Sequence, residues 1–74
     1  MPGPALLYVR AGCPHCAALR RRLSEQGVVV REIDIAVQRT AIPELLKLTG
    51  GRRIVPVLVD EGRIAVAPEG GSEF

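Results

Sequence analysis

Ala5-Leu6-Leu7-Tyr8-Val9-Arg10-Ala11-Gly12-Cys13-Pro14-His15-Cys16-Ala17-Ala18-Leu19 is the stretch on which the fold turns. Its first five residues form a continuous apolar run between Pro4 and Arg10, which predicts a strand buried on both faces. Gly12 breaks the run. Pro14 stands where the first turn of a helix tolerates proline, because the N–H it lacks has no intrahelical partner there. Cys16, Leu19 and Leu23 then recur at helical spacing, with Arg20, Arg21 and Arg22 mostly on the other side. Gly27 supplies the left-handed stop that follows a helix. A helix over about 14–26 is expected, with Cys13 at its mouth and Cys16 one turn inside.

Outward from that stretch, residues 28–35 predict a second strand that alternates only in its later half, as a strand near a sheet edge does. Thr40 is placed to cap a second helix, with Pro43 in its first turn and Ile42, Leu45 and Leu46 on its buried face. Thr49-Gly50-Gly51 ends that helix. Residues 56–60 and 63–67 flank Glu61-Gly62, a two-residue hairpin turn. Residues 68–74 make a polar, glycine-rich tail. The order β-α-β-α-β-β, without internal repeat or low-complexity tract, predicts one α/β domain over residues 1–74. A crossover through the first helix makes the first two strands parallel, and the closing hairpin makes the four-stranded sheet mixed.

A chain of 74 residues forms one small domain. Such a domain buries roughly 60% of its unfolded surface, which leaves its stability marginal. Apolar residues at 47% and charged residues at 24% exclude a disordered tail or linker. Tyr8 and Phe74 are the sole aromatic residues, so Leu, Ile, Val and Ala must build the core. Ten basic residues against eight acidic ones, with so few aromatics, give no footprint for nucleic acid. The run Arg20-Arg21-Arg22 reads either as a solvated helix face or as a docking patch for an acidic partner. Residues 5–9 are too short for a signal core or a membrane span, and no basic leader precedes them; with the start at Met1, a cytoplasmic protein is expected. In a reducing compartment two cysteines three positions apart make a poor structural staple, since they close almost no loop. The pair points instead to redox chemistry or to metal binding.

Three residues of helix bring Cys13 and Cys16 onto one face, close enough to form a disulfide with little movement. Unpaired N–H groups and partial positive charge at the helix N-terminus stabilise a thiolate at Cys13, making it the nucleophile near neutral pH. Cys16, inside the first turn and partly covered, is then the resolving thiol. Pro14 rigidifies the turn without losing a needed hydrogen bond. His15 has two readings, an exposed loop residue or a group whose charged form further stabilises the Cys13 thiolate.

Strand–Gly–Cys-Pro-x-Cys–helix, taken together with Val55-Pro56 ahead of the third strand, resembles the glutaredoxins of the thioredoxin fold. The resemblance covers Leu6 to Glu73. It implies a cis-proline at Pro56 facing the dithiol, with the backbone of Val55 pairing with substrate as a short β-bridge. It also implies that Arg10, three residues before Cys13, lies near a glutathione carboxylate. Arg52 or Arg53, with Arg53 preferred, resembles the basic position preceding the family's Val-Pro. Gly70-Gly71-Ser72-Glu73 is similar to the Gly-Gly-x-Asp stretch that opens the family's last helix and binds the backbone ends of glutathione. Leu48-Thr49-Gly50-Gly51-Arg52-Arg53 followed by Val55-Pro56-Val57 also resembles a compact glutaredoxin-like group, some members of which carry selenocysteine. Cys-Pro-His-Cys resembles the dithiol of periplasmic disulfide-forming oxidants too, which implies a more oxidising site than Cys-Pro-Tyr-Cys; the missing signal argues against that role.

One departure stands at the end. The family's final helix would begin near Ser72, whereas the sequence stops at Phe74; either it is cut short or this version lacks the helix, and the sheet face beside the first helix is then less protected. The resemblance implies a thiol–disulfide oxidoreductase with no tightly bound cofactor and glutathione as co-substrate. Its partners would be a disulfide-containing protein or small thiol, and glutathione or a thioredoxin-reductase-type protein as electron source, with no nucleic acid and no membrane. The competing reading is a soft-metal module that binds copper or an iron–sulfur cluster through the two thiols. Small copper-carrying domains run β-α-β-β-α-β, however, whereas here a helix follows the second strand. A Cys-x-His-Cys by itself does not complete a four-ligand zinc site, so no metal ligands are assigned.

Overall fold

Strand β1 (Ala5–Val9) occupies the middle of the sheet, and all of its residues except half-buried Leu6 are buried. The computed structural model describes residues 4–74, so Met1, on which the reading of the N-terminus rests, lies outside the described residues. After β1 come helix α1 (Pro14–Glu25), β2 (Val30–Asp34), helix α2 (Ile42–Thr49), β3 (Ile54–Val55), β4 (Val57–Asp60), β5 (Arg63–Val66) and β6 (Ser72–Glu73). The main sheet has the order β2-β1-β4-β5. β1 runs parallel to β2, from Ala5↔Val30 to Val9↔Asp34, and antiparallel to β4, with Leu7 opposite Leu58. β4 and β5 form the expected hairpin, in which Glu61 and Gly62 both take positive φ, as a two-residue primed turn requires. The mixed four-stranded sheet and two helices form the α/β arrangement of the thioredoxin-like fold.

Side chains alternate across the sheet, and the two helices divide its faces. Leu58 lies opposite Leu7 on one side and Ala65 on the other, so the three share a face. Leu19 and Leu23, the buried inner face of α1, line a groove with Leu58 and Ala65. That groove is open, and the Arg22–Glu69 ion pair at 2.9 Å links two of its lining residues. Tyr8, one position on from Leu7, points to the opposite face and meets Glu44 of α2. Burial, and then the Glu44 carboxylate, push its phenol above the ordinary tyrosine value. The core joins Leu7, Tyr8, Val9, Leu19, Leu23, Ile35, Leu45, Val55 and Val57 around both cysteines. Each large aliphatic side chain fully buried in it contributes about 1.5–3 kcal/mol.

Several expected boundaries shift, each for a local reason. β2 begins at Val30 rather than 28, because Val28 closes the turn after α1 with its N–H on the Leu23 carbonyl and Val29 is 73% exposed. It ends at Asp34, whose carboxylate accepts from the Ala36 N–H at 2.9 Å and whose carbonyl accepts from Val37 and Gln38. Thr40 does not cap α2. It lies within a 3-10 turn, Arg39–Ala41, that runs directly into the helix, so its backbone is already helical and Ala41 holds the cap position. On α2, Leu45 and Thr49 are buried, while Ile42 and Leu46 are half-buried. The strand expected over 56–60 begins at Val57, since Pro56 has no N–H to give a ladder, and Ile54–Val55 ahead of it forms a separate strand of a second, two-stranded sheet.

The tail departs most. Where the resemblance places the start of a final helix, Ser72–Glu73 forms a strand that pairs antiparallel with β3, Val55 opposite Ser72 and Ile54 opposite Glu73.

Candidate active site

Cys13 is the N-cap of α1. Its backbone is extended (φ −82°, ψ 113°), and its Sγ accepts the Cys16 N–H at 3.2 Å. A cap is ordinarily the oxygen of Ser, Thr, Asp or Asn; sulfur here takes that role. Negative charge on it would therefore sit on the unpaired N–H groups and positive dipole end of a 12-residue helix. Pro14 follows within the first turn, leaving the N–H groups of His15 and Cys16 to face the sulfur. Burial pushes the Cys13 thiol upward, yet hydrogen bonds from the Cys16 thiol, the Ser72 hydroxyl and those two backbone N–H groups outweigh it, so its pKa falls below the ordinary thiol value.

Cys16 behaves in the opposite way. Burial first, and then the hydrogen bond it gives Cys13, push its pKa up to about 12. The two thiols of one helical turn thus divide into an acidic, charge-stabilised sulfur and a protonated donor beside it, the division required of a nucleophile and a resolving thiol.

Ser72 reaches the Cys13 sulfur across 59 positions of sequence. The Cys13 thiol donates to Ser72 Oγ at 3.5 Å, and the hydroxyl is able to turn and donate once the sulfur is ionised. The β3–β6 ladder makes this contact possible, by holding Ser72 opposite Val55. Val55 and Pro56 are buried, and the peptide bond between them is cis. Gly71 must be glycine for the tail to come this close: a Cβ there would stand 2.7 Å from the Val55 carbonyl oxygen and 2.8 Å from Ala67 Cβ. Gly70, at φ +105°, lies under His15, whose Nδ1 is 3.0 Å from where a Cβ on Gly70 would be. The His15 ring is accordingly half-buried against the tail, neither free in solvent nor bonded to Cys13 through its nitrogens.

The basic residues gather to one side. Arg10 and Arg53 line a single pocket of about 200 Å³ with Arg39, Ile35, Ile42 and Phe74, and no acidic side chain lines it. Arg53 Nε donates to the Phe74 carbonyl at 3.1 Å, and its guanidinium lies 4.8 Å from the Phe74 ring centre. Arg52 lies outside this pocket and lines a neighbouring one with Glu73. Arg10 also belongs to a cleft of about 240 Å³ lined with Gly12, Cys13, Ser72 and Glu73.

Of the expected residues, Cys13, Cys16 and Ser72 meet at the sulfur, His15 lies against Gly70 and the Val55 carbonyl against Gly71, and Arg10 with Arg53 lines the pocket. Sequence reasoning did not find Arg39, which no motif marks, or the direct Ser72–Cys13 contact, which spans 59 positions. Among the described residues no group of three or more His, Cys, Asp or Glu side chains converges as a metal site would.

A family model described as Glutaredoxin matches residues 5–64. No curated protein and no solved structure matches the chain significantly. The matched span runs from the start of β1 into β5 and contains Cys13-Pro14-His15-Cys16 and Val55-Pro56, while the tail lies beyond it. Since most of the chain, with the dithiol and the strands that carry it, fits that model, the protein belongs to the glutaredoxin family of thiol–disulfide oxidoreductases.

Proposed function

We propose that the protein is an enzyme that exchanges disulfides through Cys13 and Cys16, with glutathione as its co-substrate and no tightly bound cofactor. The observation that carries this reading is the geometry of the dithiol: Cys13 Sγ caps α1 and accepts the Cys16 N–H at 3.2 Å, while Cys16 lies buried one turn inside the helix. The Cys13 thiolate attacks one sulfur of a disulfide; a mixed disulfide forms, and the other sulfur leaves as a thiolate that takes a proton from water. Cys16 must then lose its proton to release the product. Burial still opposes that loss, but the hydrogen bond to Cys13 and the charge of its thiolate, which also hold the Cys16 proton, vanish once Cys13 is in a disulfide. Cys16 therefore becomes more acidic at the step that needs it.

Arg10, Arg39 and Arg53 support glutathione as the partner, because a tripeptide with two carboxylates suits a pocket lined by three permanent cations. Two thiols that work in reduced form suit a reducing compartment such as the cytoplasm. Among the described residues no helix is long and apolar enough to cross a membrane.

Turnover of a mixed glutathione disulfide, driven by glutathione and separately by a thioredoxin-reductase-type protein, tests the reading. Cys13→Ser should abolish turnover with either reductant. Cys16→Ser should retain attack and accumulate a glutathione adduct on Cys13, visible by intact mass. Turnover that survives loss of Cys13 would refute the mechanism, and turnover by the protein reductant alone would refute glutathione as co-substrate.

A further inference from the structure

Four donors reach Cys13 Sγ, and one of them differs in kind. The N–H groups of His15 and Cys16 belong to the helix backbone, and the Cys16 thiol gives up its proton when it resolves a mixed disulfide. The Ser72 hydroxyl neither titrates nor takes part in the exchange of sulfurs. Its oxygen lies 3.5 Å from Cys13 Sγ, and among the described residues it has no other hydrogen bond. Its place is set from both sides. The ladder holds Ser72 opposite Val55, and Gly71 before it has no room for a Cβ against the Val55 carbonyl oxygen and Ala67. Ser72 also lines the cleft that Cys13 shares with Arg10 and Gly12, so it borders the space open to a sulfur joined to Cys13. A hydrogen bond to sulfur is strong when the sulfur carries a full negative charge and weak when it is half of a disulfide. The hydroxyl therefore favours every step that makes the Cys13 thiolate and opposes every step that consumes it.

We propose that Ser72 is a catalytic residue of the regenerating step: its hydroxyl speeds the departure of Cys13 from a mixed disulfide with glutathione, and slows the attack by which that disulfide forms. The proposal rests on the glutathione-linked exchange proposed above and adds the residue that sets the balance between its two halves. In the regenerating step the thiolate of a second glutathione attacks the glutathione sulfur of the mixed disulfide. The bond to Cys13 breaks, its electron pair stays on Cys13 Sγ, and glutathione disulfide forms. Ser72 keeps its proton throughout and donates only a hydrogen bond to the charge that develops on the sulfur. A thiol of lower pKa leaves faster and attacks more slowly, and the attacking side follows about 0.4–0.5 of the change in pKa. The effect of one hydrogen bond thus divides about evenly between the two rates.

The test uses the Cys16→Ser protein, in which no resolving thiol competes, alone and combined with Ser72→Ala or with Ser72→Thr, which keeps the hydroxyl. Two single-turnover rates are followed by intact mass at a pH where Cys13 is fully ionised in each protein. One is formation of the adduct from glutathione disulfide, and the other is its loss on mixing with glutathione. Ser72→Ala should form the adduct about twofold to threefold faster and lose it about twofold to threefold more slowly, which shifts the equilibrium in a glutathione buffer about fourfold to ninefold toward the adduct. Ser72→Thr should match the protein that retains Ser72. Opposite changes in the two rates separate this role from a structural one, because a tail loosened from Cys13 would speed both and a distorted site would slow both. Rates that move together, an adduct lost as fast in Ser72→Ala as with Ser72, or a Ser72→Thr protein that behaves as Ser72→Ala each overturn the proposal and leave the disulfide-exchange reading intact. Absence of any adduct, in a protein whose Cys13 still reacts with iodoacetamide, overturns both.

Discussion

At the scale of the residue, the chemistry depends on what surrounds one sulfur. Cys13 receives two backbone N–H groups because it caps a helix, and two side-chain donors because Cys16 lies one turn inside and Ser72 arrives from the tail. Each donor stabilises the thiolate relative to the thiol, so removing one raises the pKa and lowers the thiolate fraction near neutrality. Ser72→Ala should therefore move the pH profile of Cys13 alkylation toward higher pH and slow iodoacetamide alkylation at pH 7 about threefold to tenfold, on the scale of one partly exposed hydrogen bond to a charged group. An unmoved midpoint would remove Ser72 from the set of donors. Cys16, pushed up to about 12 by burial and by Cys13, should stay unmodified under conditions that alkylate Cys13 completely, as peptide mass mapping would report. If Cys16 reacts first, the assignment of nucleophile and resolving thiol is inverted.

At the scale of the element, the short β3–β6 ladder does more for the site than its length suggests. It is the only pairing of β3 among the described residues, and it fixes the register that brings Ser72 to Cys13. Gly71→Ala tests it, because the added methyl meets a backbone oxygen at 2.7 Å and a second side-chain carbon at 2.9 Å, Ile54 Cγ1. Backbone does not yield cheaply, so the substitution should destabilise the protein by about 1–3 kcal/mol. For a domain of this size each kcal/mol lowers Tm by about 4–8 °C, which a thermal melt followed by circular dichroism resolves. Arg20→Ala is the contrasting case. Its ion pair with Glu32 is short, 2.6 Å, but both side chains are more than a third exposed, so solvent screening leaves it worth less than about 1 kcal/mol. A melt that fell by as much as in Gly71→Ala would contradict that ranking.

At the scale of the whole molecule, three segments remote in sequence form one cationic pocket: Arg10 from the end of β1, Arg39 from the turn before α2, and Arg53 from the approach to β3. Arg39→Ala should raise the KM for glutathione about threefold to tenfold with kcat little changed, since Arg39 is not among the groups that set the acidity of either thiol. Unchanged KM in steady-state assays would point to a protein reductant. This pocket also separates what local sequence settles from what it does not. Residues 5–9 had to be a central strand, because a run apolar on both sides has no face to give to water. Pro14, Cys16, Leu19 and Leu23 likewise had to make a helix with Cys13 at its mouth, and so the place of the dithiol was legible from the local pattern. Glu61-Gly62 marked its hairpin for the same local reason, positive φ at both positions. Thr40 misled because an N-cap depends on the conformation of the turn before the helix, and the 3-10 turn Arg39–Ala41, closed by the Ala41 N–H on the Gln38 carbonyl, already makes its backbone helical. Residues 68–74 read as a polar tail because two residues carry no periodicity, and their strand exists through pairing with β3. Sequence by itself determined the elements whose pattern is local, and with them the dithiol. Tertiary structure alone decided that Ser72 meets Cys13 across 59 positions and that Arg39 joins Arg10 and Arg53, because contacts between distant segments depend on how the packed elements place them and leave no spacing to read.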